Sequence, residues 1–203
     1  MDPKSIVRDG YDRLGDDYRI EKADGIRRWF LDETLARIAQ GADVLELGCG
    51  PGIDAIEVAE GRRYTGVDIS STMVARAAGR VPGATLIHAD LTTLDLEPSS
   101  FDAVVSLYVF GHLPPAEHRP AFARISRWLR PGGWLFASFP TGADDDVEDE
   151  WMGVPMFFGG IGREATEAAL RGAGFELELC EERTDEDPAD GTESFLWVIA
   201  RKT

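Results

Sequence analysis

The chain has 203 residues, 43% of them hydrophobic, which suits one domain with a sizeable core. Its formal net charge is -16, with acid concentrated in residues 144–150 and 176–193 and no run of four or more basic residues, so a nucleic acid is excluded as the expected partner. Cys49 and Cys180 are too few for a disulfide framework, residues 1–19 are too charged for a secretory signal, and the longest apolar run (residues 103–111) falls far short of the ~20 residues of a membrane helix, so a soluble, cytoplasmic protein is expected.

Residues 7–18 carry Tyr11 and Tyr18 among polar, turn-prone neighbours and are expected as a short helix followed by a loop. Ile26, Trp29, Phe30, Leu35 and Ile38 recur at helical spacing, which predicts a helix over residues 26–39 that Gly41 ends. The first predicted strand is residues 43–47, and the helix behind the glycine turn after it carries Ile53, Ile56 and Val58. A second strand at residues 64–67 leads to a helix that Ser70 or Ser71 caps and Gly79 ends, then to a third strand at residues 84–88. Residues 101–107 are almost wholly apolar and read as a strand buried on both faces. Pro114 and Pro115 start a helix that runs to about residue 129, and Arg130-Pro131-Gly132-Gly133 separates it from a fifth strand at residues 134–139.

Residues 141–162 interrupt this alternation. The acidic part, residues 142–150, is expected as a loop, and residues 151–158 hold Gly153 and Pro155 among apolar side chains, so no regular helix forms there. A helix over residues 164–173 stops at Gly174, and strands follow at residues 175–182 and 195–200. Their helix-free connection, residues 184–192, makes this last pair antiparallel. Nothing marks a domain boundary, so residues 1–203 are read as a single domain with residues 1–40 as an N-terminal cap.

Three carboxylates, Glu46, Asp68 and Asp90, each close an apolar run and stand 22 residues apart, the period of a strand–helix unit. A parallel sheet brings such strand ends together at one rim. Gly48, Gly50 and Gly52 let the backbone turn sharply and approach a ligand with no Cβ in the way. The helix start behind them offers unpaired N–H groups to a carboxylate. The dinucleotide pattern Gly-x-Gly-x-x-Gly would need glycine where Ile53 stands, which turns the reading away from a pyrophosphate cradle. Asp68 either accepts from both hydroxyls of a ribose or caps the next helix. Asp90 either accepts from an adenine amine, with Leu91 against the ring, or is an ordinary turn residue. Cys49 stands where the turn calls for a small side chain.

Glu46-Leu47-Gly48-Cys49-Gly50-Pro51-Gly52, Val67-Asp68-Ile69-Ser70, Ala89-Asp90-Leu91 and Leu129-Arg130-Pro131-Gly132-Gly133, in this order over about residues 40–140, together resemble the class I S-adenosylmethionine-dependent methyltransferases. The resemblance implies an α/β, Rossmann-like three-layer sandwich whose seven-stranded, mostly parallel sheet has the order 3-2-1-4-5-7-6 with strand 7 antiparallel. It implies S-adenosylmethionine as cofactor and S-adenosylhomocysteine as product. Gly48 and Gly50 then border the methionine part, Asp68 the ribose, and Asp90 and Leu91 the adenine, with Glu46 and Cys49 also in the cofactor-binding set. Ile69 and Met73 become apolar neighbours of that ring, and Ser106 and Leu107 complete the cofactor set.

Methyl transfer from a sulfonium is an in-line displacement at an already electrophilic carbon, so alignment and exclusion of water supply most of the effect. A hydroxyl or ammonium acceptor must still lose a proton, and His112, just beyond the fourth strand, is the candidate general base, with a structural role as the other reading. His88 and His118 read as structural or solvated. Tyr11 and Tyr18 either fold over the cofactor, where aromatic faces attract the cation, or pack a small helix at the core edge. Tyr108, His112, Trp151, Met156 and Phe157 are the candidate acceptor-binding residues. Residues 141–162 are then a lid over a small apolar or aromatic acceptor, or else a patch covering the sheet edge or joining subunits. No metal is expected; Asp144-Asp145-Asp146 reads as a solvated loop. The expected function is O- or N-methylation of a small molecule, in a setting such as natural-product tailoring, by a bacterial monomer or homodimer. The alternatives are a non-catalytic S-adenosylmethionine-binding regulator and a nicotinamide-dependent oxidoreductase, and aminopropyl transfer is disfavoured.

Overall fold

The structure is a computed structural model and describes residues 2–18, 23–187 and 191–203. Two helices come first, α1 (Pro3–Leu14) and α2 (Gly25–Arg37). Then β1 (Asp43–Leu47), α3 (Ala55–Val58), β2 (Arg63–Asp68), α4 (Ser71–Arg80) and β3 (Thr85–His88) alternate. They are followed by β4 (Phe101–Ser106), α5 (Pro115–Trp128) and β5 (Leu129–Pro140). The last third holds β6 (Asp145–Trp151), β7 (Val154–Gly159), α6 (Arg163–Gly172), β8 (Phe175–Asp187) and β9 (Gly191–Lys202).

Seven strands form one sheet in the order β3-β2-β1-β4-β5-β9-β8. The β1, β2, β3, β4 and β5 pairings are parallel, and β9 runs antiparallel to both β5 and β8. This is the order expected, β8 and β9 taking the places of strands 6 and 7. Hydrophobic layers cover both faces. Phe122, Ile125 and Trp128 of α5 and Leu170 of α6 pack on one side, and Phe30 and Leu31 of α2 with Ala55 and Val58 of α3 on the other. The central strands β1 and β4 are therefore buried on both faces, which is why their sequences are nearly continuous apolar runs.

Three segments depart from the expectation. The Arg130-Pro131-Gly132-Gly133 stretch does not lie outside the sheet: β5 pairs Leu129 with Phe101 and Trp134 with Ala103, and the residues between bulge out. Pro131 has no N–H for a ladder and Gly132 sits at φ 76°, so a bulge is the form such a sequence takes inside a strand. The strands β8 and β9 extend well into the expected connection, of which residues 188–190 lie outside the described residues.

The third departure matters most for the site. The expected loop between residues 141 and 162 is a β-hairpin, β6 antiparallel to β7. Trp151 pairs with Val154 across a two-residue turn, Met152-Gly153, with φ 49° and 82°. Positive φ at both central residues is the turn whose twist matches a hairpin. Val154 and Met156 are buried on either side of exposed Pro155, a period-2 pattern too short to stand out in the sequence. The hairpin packs on α1 through Val7, Leu14, Val154, Met156 and Phe157, a small core of its own. Gly10 permits the contact, since a Cβ there would come within 2.8 Å of Met156 Cε and 3.0 Å of the Pro155 carbonyl oxygen. Together α1 and the hairpin form a cap. Among the described residues no helix is long and apolar enough to cross a membrane.

Candidate active site

A cavity of about 600 Å³ lies where the parallel strands end. Its floor is the turn after β1. Gly48 and Gly50 take φ 68° and 52°, and the Gly48 and Cys49 N–H groups both donate to the Val67 carbonyl of β2, at 2.8 and 3.0 Å. A Cβ at Gly48 would overlap Val109 Cγ2, whereas one at Gly50 would meet nothing within 4 Å. Packing thus demands glycine at the first position, and at the second the bare backbone faces open space.

Asp68, only 8% exposed, lines the cavity. Its Oδ2 accepts from the Gly50 N–H at 2.8 Å and its Oδ1 from the Ser70 N–H at 2.9 Å. The capping role falls to Ser70, whose Oγ accepts from the Met73 N–H at 3.1 Å and donates to Asp12 of α1 at 2.6 Å. Burial pushes the Asp68 carboxyl up to about 6 against its two backbone donors.

Glu46, 6% exposed, accepts from the Tyr64 hydroxyl at 2.6 Å, and burial pushes its carboxyl up to about 8. The folded chain therefore keeps a proton that the unfolded chain sheds, so raising the pH from about 4.5 through 8 lowers the stability of the free protein. Glu46→Gln is expected to flatten this decline, which thermal melts between pH ~5 and ~9 would read; an unchanged slope would refute the assignment.

Asp90 is more heavily engaged than its sequence context suggests. Its Oδ1 accepts from the Thr92 N–H and hydroxyl at 2.8 and 2.7 Å, and its Oδ2 pairs with Lys4 Nζ of α1 at 2.8 Å. Partial burial works against ionisation, yet these partners hold the carboxyl below the usual range. Lys4 also reaches Glu117 at 3.1 Å, so α1 is tied to the rim at its start and, through Asp12, in its last turns.

Around the cap lies a cluster of rings. Tyr11 meets Tyr18, His112 and Trp151 edge-on at centroid distances of 5.1, 5.4 and 5.8 Å, and Phe158 lies 5.2 Å from His112. His112 Nδ1 is 2.9 Å from the Phe157 carbonyl oxygen and Nε2 is 2.8 Å from the Tyr11 hydroxyl. Burial pulls the imidazole below its ordinary value, while the surface it retains faces the cavity.

The opposite wall belongs to β4, β8 and β9. Tyr108, at the strained φ of 60°, donates its N–H to Ser138 Oγ at 2.8 Å. Its ring stands edge-on to Phe195 and Trp197 at 4.9 and 5.7 Å. Arg183 lies 3.6 Å above the Trp29 ring. Arg27 grips Asp54 through two hydrogen bonds of 3.0 and 2.7 Å at the edge of the glycine turn.

The cavity thus gathers Tyr11, Tyr18, Glu46, Gly48, Cys49, Gly50, Asp68, Ile69, Met73, Asp90, Leu91, Leu107, Tyr108, His112 and Trp151 from the sequence-derived set. Three of that set do not line it. Ser106 is fully buried in β4 and its hydroxyl has no hydrogen-bond partner among the described residues, while the next residue, Leu107, lines the cavity. Met156 and Phe157 fill the core between the hairpin and α1, where the cap sheds its own apolar surface; only the Phe157 backbone takes part, through His112. Sequence reasoning missed Lys4, Arg27, Asp54, Arg183, Phe195 and Trp197. His88 bonds the Ile69 carbonyl at 3.0 Å, and fully buried His118 lies 3.2 Å from the Leu113 carbonyl. Among the described residues no three His, Cys, Asp or Glu side chains come together to hold a metal ion.

A family model described as a methyltransferase domain matches residues 44–133. A probable S-adenosylmethionine-dependent methyltransferase of Mycolicibacterium smegmatis is 36% identical over 110 residues, covering 54% of this chain and 42% of that protein. A sterol 24-C-methyltransferase of Gibberella zeae is 30% identical over 181 residues, covering 80% of this chain and 46% of that one. The chain spans about half the length of the curated relatives it matches. The crystal structure of magnesium protoporphyrin IX methyltransferase from Synechocystis PCC 6803, with S-adenosylmethionine bound, has the same fold. It matches with a TM-score of 0.73 over 100% of this chain and 98% of that one, at 20% identity.

Proposed function

The chain carries a class I S-adenosylmethionine-dependent methyltransferase domain, and from that premise we propose that it moves the methyl group of this cofactor to oxygen or nitrogen of a small molecule. The observation that carries the reading is Asp68. An ionised carboxylate has about four acceptor sites, and two here hold the turn in place while the group still faces the cavity. What remains suits the paired hydroxyls of a ribose. The open backbone at Gly50 and the cavity volume of about 600 Å³ suit the rest of the cofactor.

Gly48, Cys49, Gly50 and Glu46 would border the methionine part, Ile69, Met73 and Leu91 the adenine, and Leu107 the centre. Asp90, whose Oδ2 already accepts from Lys4, would also accept from the adenine amine. Bound there, the cofactor supplies a methyl group on a cationic sulfur. Tyr11, Tyr18 and Trp151 offer it aromatic faces. Tyr108, His112 and Trp151 then border the acceptor, and α1 with the hairpin (the lid of residues 141–162) excludes water. The roofed, aromatic wall of Tyr108, Phe195 and Trp197 favours a compact apolar or aromatic acceptor, of the sort natural-product tailoring provides. A net charge of -16 disfavours a nucleic acid. The relative named for a sterol and the neighbour named for magnesium protoporphyrin IX differ in the acceptor their names give.

Calorimetric titration with S-adenosylmethionine and, separately, with NAD tests the first half. Saturable binding of the former alone is expected, and binding of NAD alone would overturn the proposal. Labelled methyl transfer to a panel of phenols and aryl amines tests the second half.

A further inference from the structure

His112 is held at both ring nitrogens, and the two contacts determine where its protons lie. The Phe157 carbonyl can only accept, so Nδ1, 2.9 Å away, carries the hydrogen. Burial keeps the ring neutral, so Nε2 presents a lone pair, and the Tyr11 hydroxyl 2.8 Å away must donate to it. While that bond stands, His112 cannot take a proton from an acceptor directly. The Tyr11 oxygen, by contrast, has two lone pairs, one for the Tyr18 hydroxyl and one left for an acceptor, and both Tyr11 and His112 line the cavity.

We propose that Tyr11 meets the methyl acceptor and, with His112 behind it, forms a proton relay. This rests on the methyl-transfer reading above. The acceptor O–H or N–H donates to Tyr11 Oη. As the acceptor heteroatom bonds to the methyl carbon, the electron pair of the broken carbon–sulfur bond stays on sulfur. The acceptor proton passes to Tyr11 Oη, and the Tyr11 proton passes to His112 Nε2. Tyrosine ends neutral and histidine ends as imidazolium, its Nδ1–H still bonded to Phe157.

Electrostatics explains how this works with no carboxylate bonded to the histidine among the described residues. Protonating a buried imidazole is costly by itself. Here the sulfonium charge disappears in the step that creates the imidazolium, so the net charge of the cavity does not change. The Phe158 ring, 5.2 Å from the imidazole, is an aromatic neighbour for the imidazolium. The titratable groups that bear on the pair are Tyr18, from the chain following α1, and Asp68 of β2. Three elements hold the relay in place: α1 provides Tyr11, the turn after β4 provides His112, and β7 provides the carbonyl.

Nitrogen-15 NMR of histidine in the ligand-free protein reads the tautomer with no turnover needed. A neutral ring with hydrogen on Nδ1 and a bare Nε2 is expected, the Nε2 shift moving in Tyr11→Phe while Nδ1 stays. Hydrogen on Nε2 in the wild type would overturn the relay. With whichever panel phenol or amine is methylated, Tyr11→Phe is expected to lower kcat about 100-fold. S-adenosylmethionine affinity measured by calorimetry should hold, and Tyr11→Phe/His112→Gln should cost little more than either change alone, as for groups acting as a unit. Because the wild-type rate needs a neutral His112, it should fall as pH drops below the histidine range, and Tyr11→Phe should lose that limb. Loss of cofactor binding in the wild type would sink the methyl-transfer reading instead. Intact binding with Tyr11→Phe turnover within about twofold of wild type would sink the relay alone.

Discussion

Asp68→Ala is expected to weaken S-adenosylmethionine binding about 100-fold or more, because two hydrogen bonds to a charged acceptor contribute roughly 3–6 kcal/mol together. Part of the loss is indirect. The same carboxylate receives the Gly50 and Ser70 N–H groups, so its removal leaves two backbone donors unpaired beside the cavity and loosens the turn. Asp68→Asn separates the two effects: it keeps the shape, removes the charge and sets an amide N–H against one of those donors. Calorimetry on both variants, with melting curves to register the structural share, makes the comparison. An unchanged affinity in Asp68→Ala would refute the ribose assignment.

The same residue sets a pH dependence of definite sign. Burial holds Asp68 at about 6, so below that value the free site fills with a proton that the ribose reading requires it to release. Affinity should therefore drop by about tenfold per pH unit below that point. The stability of the free protein moves the opposite way, since protonated Asp68 and Glu46 are the forms burial favours. Between about pH 8 and the ordinary carboxylate range, these two groups should steady the empty fold as the pH falls while the site is disabled; below that range the paired carboxylates such as Asp90 withdraw their own contribution.

Gly48→Ala carries the second large effect, this time on stability. The residue sits at φ 68°, a region that costs an L side chain about 1–2 kcal/mol, and its Cβ would overlap Val109 Cγ2. Overpacking of that kind adds about 1–3 kcal/mol, for a total of roughly 2–5 kcal/mol and a fall in Tm of about 4–20 °C. The double variant Gly48→Ala/Val109→Ala removes the overlap but not the backbone cost. It should regain only the packing share in denaturant titrations. Full recovery would mean that the turn tolerates alanine and that glycine is there for space alone.

Much of the architecture was legible because it follows from periodicity. Glu46, Asp68 and Asp90 end apolar runs at equal spacing, and a strand buried on both faces has no other way to look. Ser70 as the cap of α4 is equally local. The hairpin β6–β7 was not legible in the same way. Its acidic first strand masks the alternation, and Pro155 and Gly153 resemble loop punctuation until the cap surface supplies a core for Val154 and Met156.

The floor of the site was readable in the chain, as the glycine turn and the carboxylates at the strand ends, since those depend on backbone reach and spacing within single strand–helix units. Long-range packing set which aromatic side chains face the cavity, that Phe157 offers its carbonyl rather than its ring, and that Lys4, Arg27 and Arg183 stand at the rim. It alone set Tyr11 against His112, 101 positions away in the chain. The physical reason is that a side chain's direction in a cap depends on what the cap packs against, and nothing local to residues 11 or 112 encodes the position of α1 over the sheet.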